Sequence, residues 1–273
     1  MEDEMQGGSS GFPSKEQKDL IVKGLIVVGI VAVLAVIVFA IIIFLNFDML
    51  PREQPINMLI IGASSQEVID VLDKNNDLLD YRIKTAESLD RNPEAQLEIY
   101  DIVMLDQSEQ ANKEISRQLG EALADYVNAG GNLIVVKNSG IRRPGASDVI
   151  GWEAAMGNTV PVRCDLQLDN RPVCDEASKI FVRGRILRKD ESHPIMNGIE
   201  QAPADPNSFL YLDTFDVGQG DNYKEIAYME DSATGKTFPA IVERVSLLGK
   251  SIYFNYNPGK TQGIFENTLE YLR

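Results

Sequence analysis

Leu123-Ala124-Asp125-Tyr126-Val127-Asn128-Ala129-Gly130-Gly131-Asn132-Leu133-Ile134-Val135-Val136 holds a helix end, a turn and a strand in one stretch. Ile115, Leu119, Ala122, Leu123, Tyr126 and Val127 recur at helical spacing. Gly130-Gly131 supplies the left-handed cap that stops such a helix. Leu133 to Val136 is apolar without alternation, the mark of a strand buried on both faces. Working back, Asp101 to Leu105 is a similar strand that ends in Asp106, Gln107 and Ser108, and Asp80 to Lys84 is another. Asn57 to Ile61 is the first strand, followed by Gly62 to Ser65. Ser64 and Glu67 then form a capping box that opens an amphipathic helix. Strand, helix, strand, strand, helix, strand with short connections predicts an α/β fold, a flavodoxin-like parallel sheet flanked by helices.

Working forward, the pattern changes. From Val160 to Leu187 alternating apolar residues predict an antiparallel β insertion, continued by strands at Phe209 to Leu212, Tyr223 to Met229, Pro239 to Arg244 and Ser251 to Tyr256. Ile264, Phe265, Thr268, Leu269 and Leu272 form a closing amphipathic helix, with Thr261 in the capping position.

The amino terminus carries a different signal. Residues 25–45 are uncharged and apolar, and about 20 such residues span a hydrocarbon core as a helix. The run is too long for a cleaved signal peptide, so it reads as a transmembrane helix of signal-anchor type. Lys15, Lys18 and Lys23 precede it and Arg52 follows, which keeps the amino terminus in the cytoplasm. The expected organisation is a cytoplasmic tail (1–24), a transmembrane helix (25–45), a linker (46–55) and an extracytoplasmic domain (56–273) held at the cell membrane.

Composition narrows the function. The net charge of −15 and the lack of any Lys/Arg cluster argue against nucleic acid. One histidine and two cysteines leave no His- or Cys-rich metal centre, and no motif calls for a cofactor. Cys164 and Cys174 flank the turn residues Asp169, Asn170, Arg171 and Pro172, so they are expected to form a disulfide in an oxidising compartment.

The stretches Tyr100 to Asp106, Leu123 to Val136, His193-Pro194-Ile195-Met196-Asn197-Gly198-Ile199 and Gly249 to Phe254, in that order, resemble the class I glutamine amidotransferase-like superfamily, within it the trehalose-utilisation (ThuA-like) branch. The resemblance runs from about Ile56 to the end and implies the α/β fold named above. It does not carry the glutaminase site. Where the family places its nucleophilic cysteine after the fourth strand, this chain has Lys137, Asn138, Ser139 and Gly140. The family's His, followed two residues later by Glu, is matched by His193 followed by Pro194 and Ile195.

Ligands of open parallel sheets bind beyond the carboxyl ends of the strands. Ser64, Ser65, Asp106, Gln107, Lys137, Asn138, Ser139 and Arg142 are therefore expected to line one crevice, with Arg143 nearby, and the helix opening beside Ser64 favours an anionic or polyhydroxylated ligand. This predicts a non-catalytic binding or scaffold protein, anchored in the lipid bilayer, with an envelope protein or carbohydrate partner. The competing reading is an envelope hydrolase or sugar-processing enzyme using Ser139 as nucleophile, His193 as base and Asp106 or Asp213 as orienter. Asp213, Asp216 and Asp221 lack the spacing of a calcium loop, and Trp152 reads as packing.

Overall fold

The computed structural model describes residues 55–245 and 248–273, so the expected transmembrane helix and cytoplasmic tail lie outside the described residues. Among the described residues no helix is long and apolar enough to cross a membrane. In chain order the elements are β1 (Ile56–Gly62), α1 (Gln66–Lys74), β2 (Leu79–Lys84), α2 (Pro93–Leu97), β3 (Ile102–Asp106), α3 (Arg117–Asn128), β4 (Asn132–Val136), β5 (Arg142–Arg143), β6 (Ala146–Ile150), α4 (Glu153–Met156) and β7 (Val162–Arg163). They continue with β8 (Ile180–Arg188), β9 (Gln201–Ala202), β10 (Leu210–Thr214), β11 (Gly218–Gln219), β12 (Tyr223–Asp231), β13 (Thr237–Val245), β14 (Lys250–Phe254) and α5 (Gln262–Tyr271).

The fold is mixed α/β around one 10-stranded sheet. Strands β2-β1-β3-β4-β14 lie side by side and are all parallel. Alternate residues of these strands point to opposite faces, and both faces are apolar. Met58, Ile60, Ile102, Met104, Ile134 and Phe254 pack against Val68, Val71 and Leu72 of α1 and Ile264, Phe265 and Leu269 of α5. Leu59, Ile61, Val103, Leu105, Leu133 and Val135 pack on the other side against Leu97 of α2, Leu119, Leu123 and Val127 of α3, and Ala155 and Met156 of α4. At about 25 cal/mol per Å² of buried apolar surface, this double-sided burial is the main force holding the layers.

The antiparallel strands lie between β4 and β14 in sequence, as an insertion does. In space they continue the same sheet: β13 pairs with β14, then β12, β8 and β10 follow, with β9 on β8. The stretch expected to be strand from Val160 to Leu187 is mostly not strand; only β7 and β8 form there, because the disulfide hairpin occupies the interval.

Local signals shift in two places. The cap of α1 is Ser65, one residue later than the Ser64 capping box implies: its hydroxyl accepts from Val68 N at 3.3 Å. Glu67 is free for a long-range pair with Lys260 instead. Thr261 does hold the cap position of α5, but its hydroxyl bonds Tyr256 Oη at 2.7 Å and gives no side-chain cap. At the end of β1, Gly62 has φ +116°, and a Cβ there would lie 2.3 Å from Asp106 O. Only glycine lets the ends of β1 and β3 approach so closely.

Candidate functional site

Three parallel strands deliver the expected residues to one edge. β1 leads into Ser64 and Ser65, β3 ends on Asp106 and Gln107, and β4 leads into Lys137, Asn138 and Ser139. Gln107 ties two of these ends together. Its backbone N–H donates to Ser139 Oγ at 2.8 Å, and its Oε1 accepts from Gly140 N at 2.9 Å. Trp152 Nε1 donates to Ser139 O at 2.9 Å from below, so Trp152 is packing, fully buried and edge-on to Tyr253.

The edge is sealed, where an open crevice was expected. Asp106 and Ser139 are fully buried, and Gln107, Asn138, Lys137 and Ser65 nearly so. Lys137 turns the corner after β4 with φ +49°, a left-handed conformation that costs a non-glycine residue about 1 kcal/mol or more. Its Nζ donates to Asp213 Oδ2 at 2.7 Å. Asn138 Nδ2 donates to Glu176 Oε2 at 3.1 Å, and Arg142 Nη2 to Asp175 Oδ1 at 2.7 Å. Lys179 pairs with Glu176 and lies 3.9 Å from Asp213. Lys113 Nζ donates to the carbonyl of Gln107 and, at 3.4 Å, to that of Ser108.

Asp213 is the next-to-last residue of β10, and the chain that follows the strand is held at the end of β14. There Asn255, fully buried, donates to the carbonyls of Phe215 (2.8 Å) and Pro239 (2.9 Å) and accepts from Phe215 N (3.1 Å) and Tyr253 Oη (3.0 Å).

Electrostatics follow from this enclosure. Burial opposes the charge on Asp213, yet the bond from Lys137 and the nearby cations outweigh it and hold the pKa below the ordinary value. Glu176 behaves alike: burial works against its charge, and Lys179, Asn138 and Lys113 prevail. Burial pushes Lys113 down and Asp106 up. Asp106 Oδ1 accepts from Ser108 N at 2.9 Å, and the Ser108 and Ser64 hydroxyls also act on this carboxylate and offset part of the effect of its burial.

His193 is not part of this edge. Its Nδ1 accepts from Ile195 N at 3.3 Å, so the ring proton sits on Nε2, which faces Glu243 Oε2 at 3.2 Å. Tyr271 Oη donates to Glu243 Oε1 at 2.7 Å and stacks edge-on to the imidazole, closing a buried cluster on the α5 side of the sheet. Asp216 pairs with Lys236 and Asp221 accepts from Asn158, so with Asp213 they diverge. Among the described residues no group of His, Cys, Asp and Glu is placed to hold a metal.

No family model and no curated protein matches the chain. Solved structures do. A β-galactosidase from Bacillus circulans sp. alkalophilus is similar over 78% of this chain and 30% of its own, with TM-score 0.51 and 13% identity. A β-galactosidase from Rahnella sp. R3 is similar over 81% and 32%, with TM-score 0.50 and 13% identity. The chain thus spans about a third of the length of these proteins, and the likeness is one of fold. A GMP synthase component from Thermoplasma acidophilum is similar over 80% of this chain and 94% of its own at 11% identity, with a looser TM-score of 0.43.

Sequence reasoning missed Lys113, Asp175, Glu176, Lys179 and Asn255. Only the turn after Cys174 hinted at any of them, since Asp175 opens the short helical turn 176–178 as its cap.

Cys164 and Cys174 are bonded, with Cα atoms 5.3 Å apart, inside the usual range. The intervening chain folds back as expected: Leu166 bridges Pro172, and Asn170 turns the corner at φ +61°.

Proposed function

We propose that this protein is a membrane-anchored, extracytoplasmic binding or scaffold protein, built on a class I amidotransferase-like domain of the trehalose-utilisation branch that has no catalytic nucleophile. The observation that carries the reading is the corner after β4. The residue there has the positive φ of a strained turn, but it is Lys137, and its ammonium is bound to Asp213. The hydroxyl next in line, Ser139, is buried and already bonded to Gln107 N, and His193 is committed to Glu243. A nucleophile needs a base within about 2.6–3.2 Å and an approach for substrate, and Ser139 lacks both here. The disulfide and the lysines before residue 25 support an extracytoplasmic domain.

Two measurements test this. A fluorophosphonate probe applied to the intact protein should leave Ser139 unlabelled; stoichiometric labelling would turn the reading to a hydrolase. Protease added outside intact cells should remove residues 56–273, and full protection would reverse the topology.

A further inference from the structure

The large sheet has two outer edges, and they are built differently. β2 closes one side with Asp80, Arg82 and Lys84 along the strand, the kind of charges that keep a free edge from pairing with another chain. β10 closes the other side as Leu210-Tyr211-Leu212-Asp213-Thr214, and its one charged residue, Asp213, is drawn to Lys137. The direction of its backbone groups follows from β8. Arg183 O accepts from Ser232 N, just past the end of β12, whereas Arg188 N donates to Glu200 O on the side of β9. Backbone groups of successive strand residues point to opposite sides, so Val182 and Gly184 face β10, and their partners Leu212 and Leu210 turn their backbone groups to β8. Tyr211 and Asp213 therefore turn theirs outward, and among the described residues no other segment of backbone meets them.

The side chains of this edge are equally open. Val182 and Leu212 are buried on one face, which leaves Phe181, Arg183, Tyr211 and Asp213 together on the other. Tyr211 is 74% exposed and Phe181 82%, and Phe181 lies directly beside Asp213. Arg183 lies beside Tyr211, with its guanidinium 4.3 Å from the centre of the Phe209 ring. No carboxylate among the described residues pairs with that guanidinium.

We propose that the outer edge of β10 pairs antiparallel with β10 of a second copy of this chain, with Leu212 on the two-fold axis. Tyr211 of each copy then lies opposite Asp213 of the other, and these residues exchange the backbone bonds that neither copy makes alone. A foreign strand would satisfy the backbone as well, but the charges favour a second copy. Asp213 of the second copy arrives on the side of Tyr211 away from Arg183, so the unpaired guanidinium gains a carboxylate on its own face, and the two-fold repeats the arrangement. Moving the axis to Asp213 would set like charges directly opposite each other, which is unfavourable. The short Asp213 side chain also leaves room for Tyr211 of the second copy to reach Phe181, so the two exposed rings cover each other.

The test uses the full chain in detergent micelles, with the protein mass read by sedimentation velocity. At micromolar concentration the wild type should have twice the chain mass. Tyr211→Asp sets like charges opposite each other twice and removes the ring, so its dissociation constant should rise at least about tenfold, with Trp152 fluorescence still native. Ile83→Asp, on β2, should leave the dimer intact. Both cysteines are bonded to each other, so Tyr211→Cys carries the only free thiol. Across the axis two such thiols lie diagonally, about 7–8 Å apart, and a bismaleimide of that span should join them, whereas Ile83→Cys should stay unjoined. This second measurement decides the matter if Tyr211→Asp does not fold. A monomeric wild type, a dimer that survives Tyr211→Asp, or an unjoined Tyr211→Cys overturns the edge pairing. Dissociation by Ile83→Asp overturns the choice of edge.

Discussion

Asn255 holds the crossing segment over the sheet, and its replacement by Ala is the sharpest available test of how the edge is sealed. The substitution removes two donors and one acceptor at once. It leaves Phe215 N, Phe215 O, Pro239 O and Tyr253 Oη without the partners they have now, in a place where no solvent reaches the side chain. A buried group stripped of its partner costs about 1–3 kcal/mol, and relaxation will spare some of these, so a loss of about 3–5 kcal/mol is expected. That is a large share of a stability of roughly 5–15 kcal/mol. The chain has 1 Trp, buried next to Tyr253, so its fluorescence reports the same region during urea unfolding. With a slope of about 2–3 kcal/mol/M the midpoint should fall by about 1–2 M. Asn255→Asp separates hydrogen bonding from volume. At neutral pH its carboxylate would face the carbonyls of Phe215 and Pro239, raising its folded pKa above the unfolded value of about 3.9. The folded state then binds more protons, so the Asp variant should regain stability relative to wild type as pH falls towards about 4. A loss below about 1 kcal/mol for Asn255→Ala, or no pH-dependent recovery for Asn255→Asp, would refute the hub.

Gly120→Ala should destabilise even though alanine is the better helix former by about 1 kcal/mol, because the added Cβ would lie 2.1 Å from Ala155 O where α3 meets α4; a raised melting temperature would contradict this contact. Replacing both cysteines by serine should cost about 3 kcal/mol in urea unfolding, the entropy of so short a loop, and no change would mean the hairpin is held without its bridge. Asp213 and Glu176 have pKa values held below normal, and Glu67, beside Lys260, is lowered to about 2. Such groups stabilise fully above their unfolded pKa values of about 4 and lose that contribution as pH falls through the folded values, so the urea midpoint should drop between about pH 4 and 2; a midpoint that is flat or rising there would contradict the ion pairs.

The parallel half of the fold was legible because its signal is local. A strand buried on both faces must be apolar throughout, so Leu59 to Ile61, Val103 to Leu105 and Leu133 to Val136 announce themselves, and Gly130 marks the helix end with φ +111°. The error at α1 shows the limit of local signals. Ser64 and Ser65 are adjacent and chemically equal, and the Glu67 that favoured Ser64 is drawn away by Lys260, 193 residues later. The antiparallel half was read in outline from alternation, but alternation cannot tell whether a strand starts a new sheet or extends an old one.

The site divides along the same line. Its floor lies within a few residues of three strand ends, and topology alone brought Ser65, Asp106, Gln107, Lys137 and Ser139 together. Its cover does not follow from topology. Asp213 lies 76 residues from Lys137, Glu176 lies 38 from Asn138, and Phe215 lies 40 from Asn255. A charge in a sequence defaults to solvent, because moving it into the interior costs several kcal/mol unless a partner meets it with good geometry. Each of these residues, read alone, therefore belonged on a wet loop. Only the cysteines betrayed the cover in advance, since a covalent bond between residues ten apart leaves a spacing that an ion pair does not. The bridge that could be read from the sequence thus ends one residue before the acids that could not, and those acids, with Asp213, cover the edge.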